Sequence, residues 1–269
     1  MKISGIEELH DKLFDVLCII DDICKKEGVR YFLDSGTAIG AVREKDFIPW
    51  DDDMDIKVLA DDYPAFKAAM EKNLPPHMHI VEPQDFAPAF YDFAVRIYDE
   101  RYTIRKDTEE ERYYGGLQNH LGTDVFIYFR VPSRPMEQKM LKLKTKILYG
   151  LGMAHRYQQK MEKYTFFQKL QVTVLSTLGK AIPAKTICEM WWKEMLRWQG
   201  KDVNMLFTGN YILKELTFFP LGQYQKTIDG EIRGRRLPLP IGIDHELTVM
   251  YGDYMKPPKD KGAYVKHLE

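Results

Sequence analysis

Apolar residues recur at three- and four-residue steps near the N-terminus: Ile6, Leu9, Leu13, Val16, Ile20 and Ile23. That period predicts an amphipathic helix. Ser4 and Glu7 have capping-box spacing at its start, and Gly28 marks its end. The pattern then changes. "RYFLDSG" predicts a short strand running into a turn, and "TAIGAVRE" a short helix beginning at Ser35-Gly36-Thr37. Pro49 stops any continuation, because it lacks an N–H and disfavours helical geometry at Ile48. "DMDIKVL" predicts a strand, and "DDYPAFKAAMEKN" a helix with Asp61 or Asp62 at its cap. "FYDFAVRIYDERYTIRK" predicts one or two strands, expected as a hairpin, and "GTDVFIYFRV" a further strand.

Residues 134–201 differ in character. Leu141, Leu143, Ile147, Leu148 and Leu151, then Leu170, Val174, Leu175 and Leu178, predict several helices punctuated by Gly150, Gly152, Gly179 and Pro183. Residues 202–269 return to a mixed pattern, with a helix expected at "DHELTVMYG". The fold class is therefore α/β in the α+β sense. It comprises a small mixed sheet with flanking helices (1–133), a helical, basic insertion (134–201) and a C-terminal segment that completes the sheet-bearing domain (202–269). No stretch of ~18 uninterrupted apolar residues is present to predict a spanning helix. The N-terminus lacks the apolar run of a signal peptide.

Charge sharpens this division. The chain as a whole carries a net charge of −1, which gives no bulk attraction to nucleic acid. Residues 134–201 nevertheless hold fourteen Lys and Arg against four Asp and Glu. Such a segment is either a solvated basic face or a surface for an anionic membrane or acceptor polymer. Cys18, Cys24 and Cys188 have no zinc-ligand spacing, and they predict reduced thiols of a cytoplasmic protein.

The candidate chemistry lies in "SGTAIGAVREKDFIPWDDDMDIKVL", residues 35–59, where Asp51, Asp52, Asp53 and Asp55 crowd together. A calcium loop would require Gly where Ile56 stands, and Glu where Asp62 stands. A helical DDxxD diphosphate site conflicts with Pro49 before the cluster and Ile56 and Val58 after it. On a strand, Asp53 and Asp55 share one face. Two adjacent ionised carboxylates entering a core call for a cation. A nucleotidyltransferase-type site fits best. "DSGT" supplies a small-residue turn for phosphate, "DMD" a carboxylate pair for divalent metal, and Asp124 in "GTDVFIY" a third carboxylate.

These residues carry a resemblance. "GTAIGAVREKDFIPWDDDMDIKV" is similar to the signature of the LicD family of choline-phosphate transferases, which is related to the fukutin-related ribitol-phosphate transferases. "YGDYMKPP" at 251–258 and His267 resemble that family's closing motif. "GTDVFIYF" resembles its third-carboxylate strand, although the family usually has Pro and Asp where this chain has Ile127 and Phe129. The resemblance implies a nucleotidyltransferase-like fold and Mg²⁺, or Mn²⁺ in its place. It also implies transfer of phosphocholine or a related phospho-alcohol from a CDP-linked donor such as CDP-choline. The acceptor would be a hydroxyl of a cell-surface glycan precursor, of the lipopolysaccharide or teichoic acid kind, and CMP would be released.

The roles this implies are specific. Asp53 and Asp55 hold metal, with Asp51 either assisting or orienting Arg43. Asp124 completes the metal site or acts as general base, and the choice stays open. Asp52 points the other way and is expected to be exposed or structural. Ser35, Gly36, Thr37 and Arg43 face phosphate. Arg96 either binds phosphate or pairs with Asp92 or Asp124. An aromatic box for a choline headgroup would draw on Trp50, Tyr91 and Tyr128. The expected location is the cytoplasm, peripheral to the inner face of the membrane. Two further functions fit the same residues: nucleotidyl transfer from ATP or CTP to a small-molecule or sugar hydroxyl, and a non-catalytic metal-stabilised module binding glycan or membrane.

Overall fold

A computed structural model describes residues 1–158, 161, 164–210 and 217–258. The N-terminal period becomes helix α1 (Ile6–Glu27), closed by Gly28 in the left-handed region at φ 68°. Its cap differs from the expected box. Gly5 is the N-cap, and the Ser4 hydroxyl donates to Glu8 rather than engaging Glu7. Strand β1 (Phe32–Leu33) follows, then α2 (Ser35–Ile39), whose last turn widens into a π-helical turn over Gly40–Glu44. Next come β2 (Asp55–Leu59), α3 (Tyr63–Asn73) and β3 (Met78–Val81). The expected β-hairpin within 90–106 is instead one strand, β4 (Val95–Thr103), paired with β3 on one side. A short α4 (Glu109–Tyr113) leads into β5 (His120–Val131).

The central sheet runs β1-β2-β5-β4-β3, and only the β2–β5 pair is parallel. It buries both faces. Ile56, Val58, Val125 and Ile127 join the main core under α1 and α3. Leu59, Phe126 and Tyr128 form a second cluster on the opposite face. The basic segment supplies α5 (Pro135–Gly152), α6 (Phe166–Gly179) and α7 (Ala184–Met195). Helix α7 belongs to the core: Trp191 is 1% exposed and stacks on Phe93 at 4.9 Å. Strand β6 (Met205–Phe207) adds to the end of β5, and β7 (Phe218–Pro220) pairs with β6. The hairpin β8 (Thr227–Ile232) and β9 (Arg235–Pro240) precedes α8 (Ile243–Tyr251).

One buried ionic cluster joins these parts. Lys57 of β2 is fully buried, with its ammonium 3.0 Å from Asp34 and paired with Glu246 of α8. The Tyr128 and Tyr224 hydroxyls donate to Glu246 at 2.9 and 2.7 Å. Asp34 also accepts the Ser35 N–H at 2.8 Å, which caps α2. Burial alone would lower the Lys57 ammonium, but the two carboxylates outweigh it and raise its pKa. Burial raises the Asp34 carboxyl against the pull of Lys57.

A second anchor fastens the helical segment. The Phe90 N–H donates to the His155 carbonyl at 2.9 Å, and Arg156 donates to the Tyr91 carbonyl at 2.5 Å. Arg156 also lies 3.7 Å from buried Asp92. Burial pushes the Asp92 carboxyl up to about 7, although Arg156 and the Phe93 N–H pull it down.

Lys57→Met should cost about 3–5 kcal/mol in urea unfolding, because two carboxylates stay buried without their cation. Adding Glu246→Gln to that variant should recover part of the loss. Asp92 holds its proton more tightly folded than unfolded. Its contribution to stability is full below the unfolded carboxyl pKa of about 3.9 and is lost as pH rises through about 7. Between pH 5 and 8 the parent should therefore lose roughly 2–3 kcal/mol more stability than Asp92→Asn.

Candidate active site

The site grows from strand register. Asp55 of β2 lies directly opposite Asp124 of β5, and Asp124 lies opposite Arg96 of β4. Cross-strand partners share a face, so the three side chains form a row, Asp55–Asp124–Arg96. The turn ahead of β2 is tied to that row. The Asp34 N–H donates to the Asp55 carbonyl at 3.0 Å, and the Asp55 N–H donates to Thr37 Oγ1 at 2.9 Å. Thr37 therefore fixes the strand with the hydroxyl that the resemblance directs at phosphate. Ser35 is buried with φ at 46°, a left-handed geometry that strains a residue bearing a Cβ. Gly36 has a steric reason: a Cβ there would stand 2.2 Å from Asp51 Oδ2. The Asp51 carboxylate rests in that gap, while its carbonyl lies 2.7 Å from the His10 ring.

Asp53 precedes β2 and lines two concavities. The first is a cleft of about 280 Å³, where Asp51 and Asp53 meet Arg43, Trp50, Tyr251 and Lys256. Arg43 donates from Nη1 to the Tyr254 carbonyl at 2.5 Å and from Nε to Glu44 at 2.6 Å. Its buried Nη2 has no partner among the described residues. The guanidinium lies 6.0 Å from the Trp50 ring centre. The second concavity is a narrow space of about 30 Å³ beside Tyr91, Arg96, Arg105, Gln118 and Asp124. Asp52 also lines it and is 2% exposed, so of the two expectations, exposed or structural, it is not the exposed one, and it shares this space with Asp53 rather than pointing away from it.

The electrostatics of the row favour a cation. Burial, then the charges of Asp53, Asp124, Asp34 and Asp51, push the Asp55 carboxyl well above the carboxylate range. Hard carboxylate oxygens from Asp53 and Asp55 suit Mg²⁺ or Mn²⁺. Among the described residues, however, no three His, Cys, Asp or Glu side chains already stand in a liganding arrangement. Asp124 is turned toward Arg96, whose Nη1 donates to Oδ1 at 2.8 Å. Arg96 thus takes the ion-pair role with Asp124 rather than Asp92, and its Nε has no partner among the described residues.

The aromatic residues divide. Trp50 lines the larger cleft, and Tyr91 lines the narrow one. Tyr128 does neither. It is fully buried, with its hydroxyl committed to Glu246, so no headgroup reaches it. His267 lies outside the described residues. Several lining residues had been given no role: Tyr251, Asp253, Tyr254 and Lys256, all within "YGDYMKPP". That motif was visible as a resemblance, yet nothing in its local pattern says it folds against Arg43. Lys57 also left a signal, a lysine between Ile56 and Val58 with the strand parity of Asp55.

Mg²⁺ at about 100 times its dissociation constant should add about 2.7 kcal/mol to unfolding stability. Asp55→Asn should abolish that increment in a thermal-shift measurement while keeping the fold.

The chain's sequence is similar to known proteins. Residues 28–146 match the nucleotidyltransferase domain of the LicD/FKTN/FKRP family. Lipopolysaccharide cholinephosphotransferase LicD of Haemophilus influenzae is 27% identical, in an alignment covering 100% of this chain and 98% of that protein. Uncharacterized proteins of Rickettsia prowazekii and Rickettsia typhi are each 36% identical, but only over 23% and 19% of this chain, and 22% and 16% of their own lengths. The matched span contains the Ser-Gly-Thr turn, the aspartate cluster, Arg96 and Asp124. Residues 28–146 of this chain thus match the LicD family's nucleotidyltransferase domain, and the whole chain aligns with the Haemophilus transferase at 27% identity.

Proposed function

We propose that this LicD-type phosphotransferase moves phosphocholine, or a closely related phospho-alcohol, from a CDP-linked donor to a glycan hydroxyl and releases CMP. The Haemophilus relative is named for cholinephosphate transfer with lipopolysaccharide and aligns along the whole chain. A lipopolysaccharide-type glycan is therefore the preferred acceptor class. The observation that carries the reading is the placement of Asp53 on the wall between two concavities. In-line displacement needs a donor and an acceptor on opposite sides of the phosphorus.

The larger cleft suits the donor. Arg43 Nη2 and Lys256 would meet its phosphates, and Trp50 and Tyr251 offer flat faces to the base or headgroup. The narrow side suits the incoming hydroxyl. Asp124 stands there to accept its proton, and Arg96 orients that carboxylate. Asp53 and Asp55 would hold a divalent cation, which supplies charge neutralisation on the transferred phosphoryl group. Burial of the Asp34–Lys57–Glu246 cluster keeps the floor of the site rigid.

Incubation with CDP-choline, a glycan acceptor and Mg²⁺ should release CMP. Asp53→Ala should lower kcat by about 10²–10³-fold, as removal of one transition-state stabiliser does, without changing the far-UV spectrum. Pyrophosphate release from ATP or CTP instead would select the nucleotidyl-transfer reading. No turnover of CDP-choline, CDP-ribitol, CDP-glycerol or CDP-ethanolamine would sink the proposal.

A further inference from the structure

The pair α5 and α6 leaves an apolar surface outside the core. On α5, Met136, Met140, Leu143 and Ile147 are 71, 47, 49 and 38% exposed. Their spacing places them in one stripe. On α6, Phe166, Phe167, Leu170, Val174 and Leu178 are all at least half exposed. These are not the packing faces. A Cβ at Gly150 would press on Leu175, and one at Gly179 on the Leu151 carbonyl, so the two helices meet closely through those glycines. A groove of about 490 Å³ between them is lined by Leu143, Ile147, Leu170 and Val174, which makes the two stripes continuous.

Charge identifies the occupant. Residues 138–188 contain a single acidic residue, Glu162. Exposed Lys139, Lys146, Lys169 and Lys180 lie on or beside the two helices, and none forms an ion pair among the described residues. A second copy of this chain would bring the same positive charge against itself. An anionic bilayer offers both matching charge and an apolar layer for Phe166, Phe167 and Leu170. No described helix is long and apolar enough to cross a membrane, so the contact is a surface one.

We infer that the exposed faces of α5 and α6 dock the protein on anionic phospholipid, with Phe166, Phe167 and Leu170 inserted at the headgroup boundary and the flanking lysines on the phosphates. The segment after α5 grips the site's edge: His155 and Arg156 bond to Phe90 and Tyr91, and Tyr91 lines the narrow concavity. Docking there would hold the acceptor side of the site next to the bilayer. The inference stands apart from the transferase reading, because lipid binding is measured without turnover.

The test uses the full chain with vesicles of phosphatidylcholine alone or mixed with phosphatidylglycerol. Co-sedimentation should require phosphatidylglycerol and should fall as salt rises. Phe167→Ser with Leu170→Ser should weaken binding at least about ten-fold. Lys139→Glu with Lys146→Glu and Lys169→Glu should do so equally. All five sites are exposed, so thermal unfolding should not move, and CMP release from a water-soluble acceptor should be unchanged. No binding to phosphatidylglycerol vesicles at low salt would overturn the inference. So would binding that ignores both variant sets, or a dimer in solution that Phe167→Ser with Leu170→Ser dissolves.

Discussion

A single ammonium group, buried with two carboxylates, holds the parts of the site in place. Lys57 sits two residues beyond Asp55 on the same strand face, and it binds Asp34 before α2 and Glu246 on α8. Burial of three charged groups is costly, and it is offset only when each finds partners of good geometry. Tyr128 and Tyr224 supply the remaining bonds to Glu246. The result locates three distant segments at once. The Ser-Gly-Thr turn is fixed through Asp34, the aspartate strand through Lys57, and the C-terminal motif through α8, which ends at Tyr251. Tyr251, Asp253 and Lys256 reach the larger cleft as a consequence.

The row Asp55–Asp124–Arg96 has the opposite character. Strand register places two carboxylates side by side, and their repulsion combines with burial to raise the Asp55 pKa. Arg96 relieves part of this by bonding to Asp124. The floor of the site thus carries its own countercharge in Lys57, whereas its mouth gathers the Asp51 and Asp53 carboxylates. That division separates scaffold from chemistry within one strand: Lys57 belongs to the first and Asp55 to the second.

The helical segment adds a different constraint. Its inner faces are closed by glycines and by Trp191, and its outer faces stay apolar and basic. Arg156 and His155 connect it to the loop that walls the narrow concavity.

Local pattern alone determined most elements. Helical period set α1, alternation set β2 and an aromatic and β-branched run set β5, whereas the turn after α2 closes at Lys45, before Pro49 is reached. Strand parity singled out Asp53 and Asp55, but β2 begins at Asp55, so Asp53 stands ahead of the strand rather than on it. The same local logic misread 90–106 as a hairpin, because the partner strand β5 lies beyond the segment itself. It also offered Tyr128 to a headgroup, since an aromatic on a strand shows no sign of which buried acid its hydroxyl will meet. The choice of Asp124 as Arg96's partner, the burial of Asp52, and the arrival of Tyr251 and Lys256 at the cleft were decided only by tertiary structure. Each depends on contacts between segments far apart in the chain, and no local period encodes them.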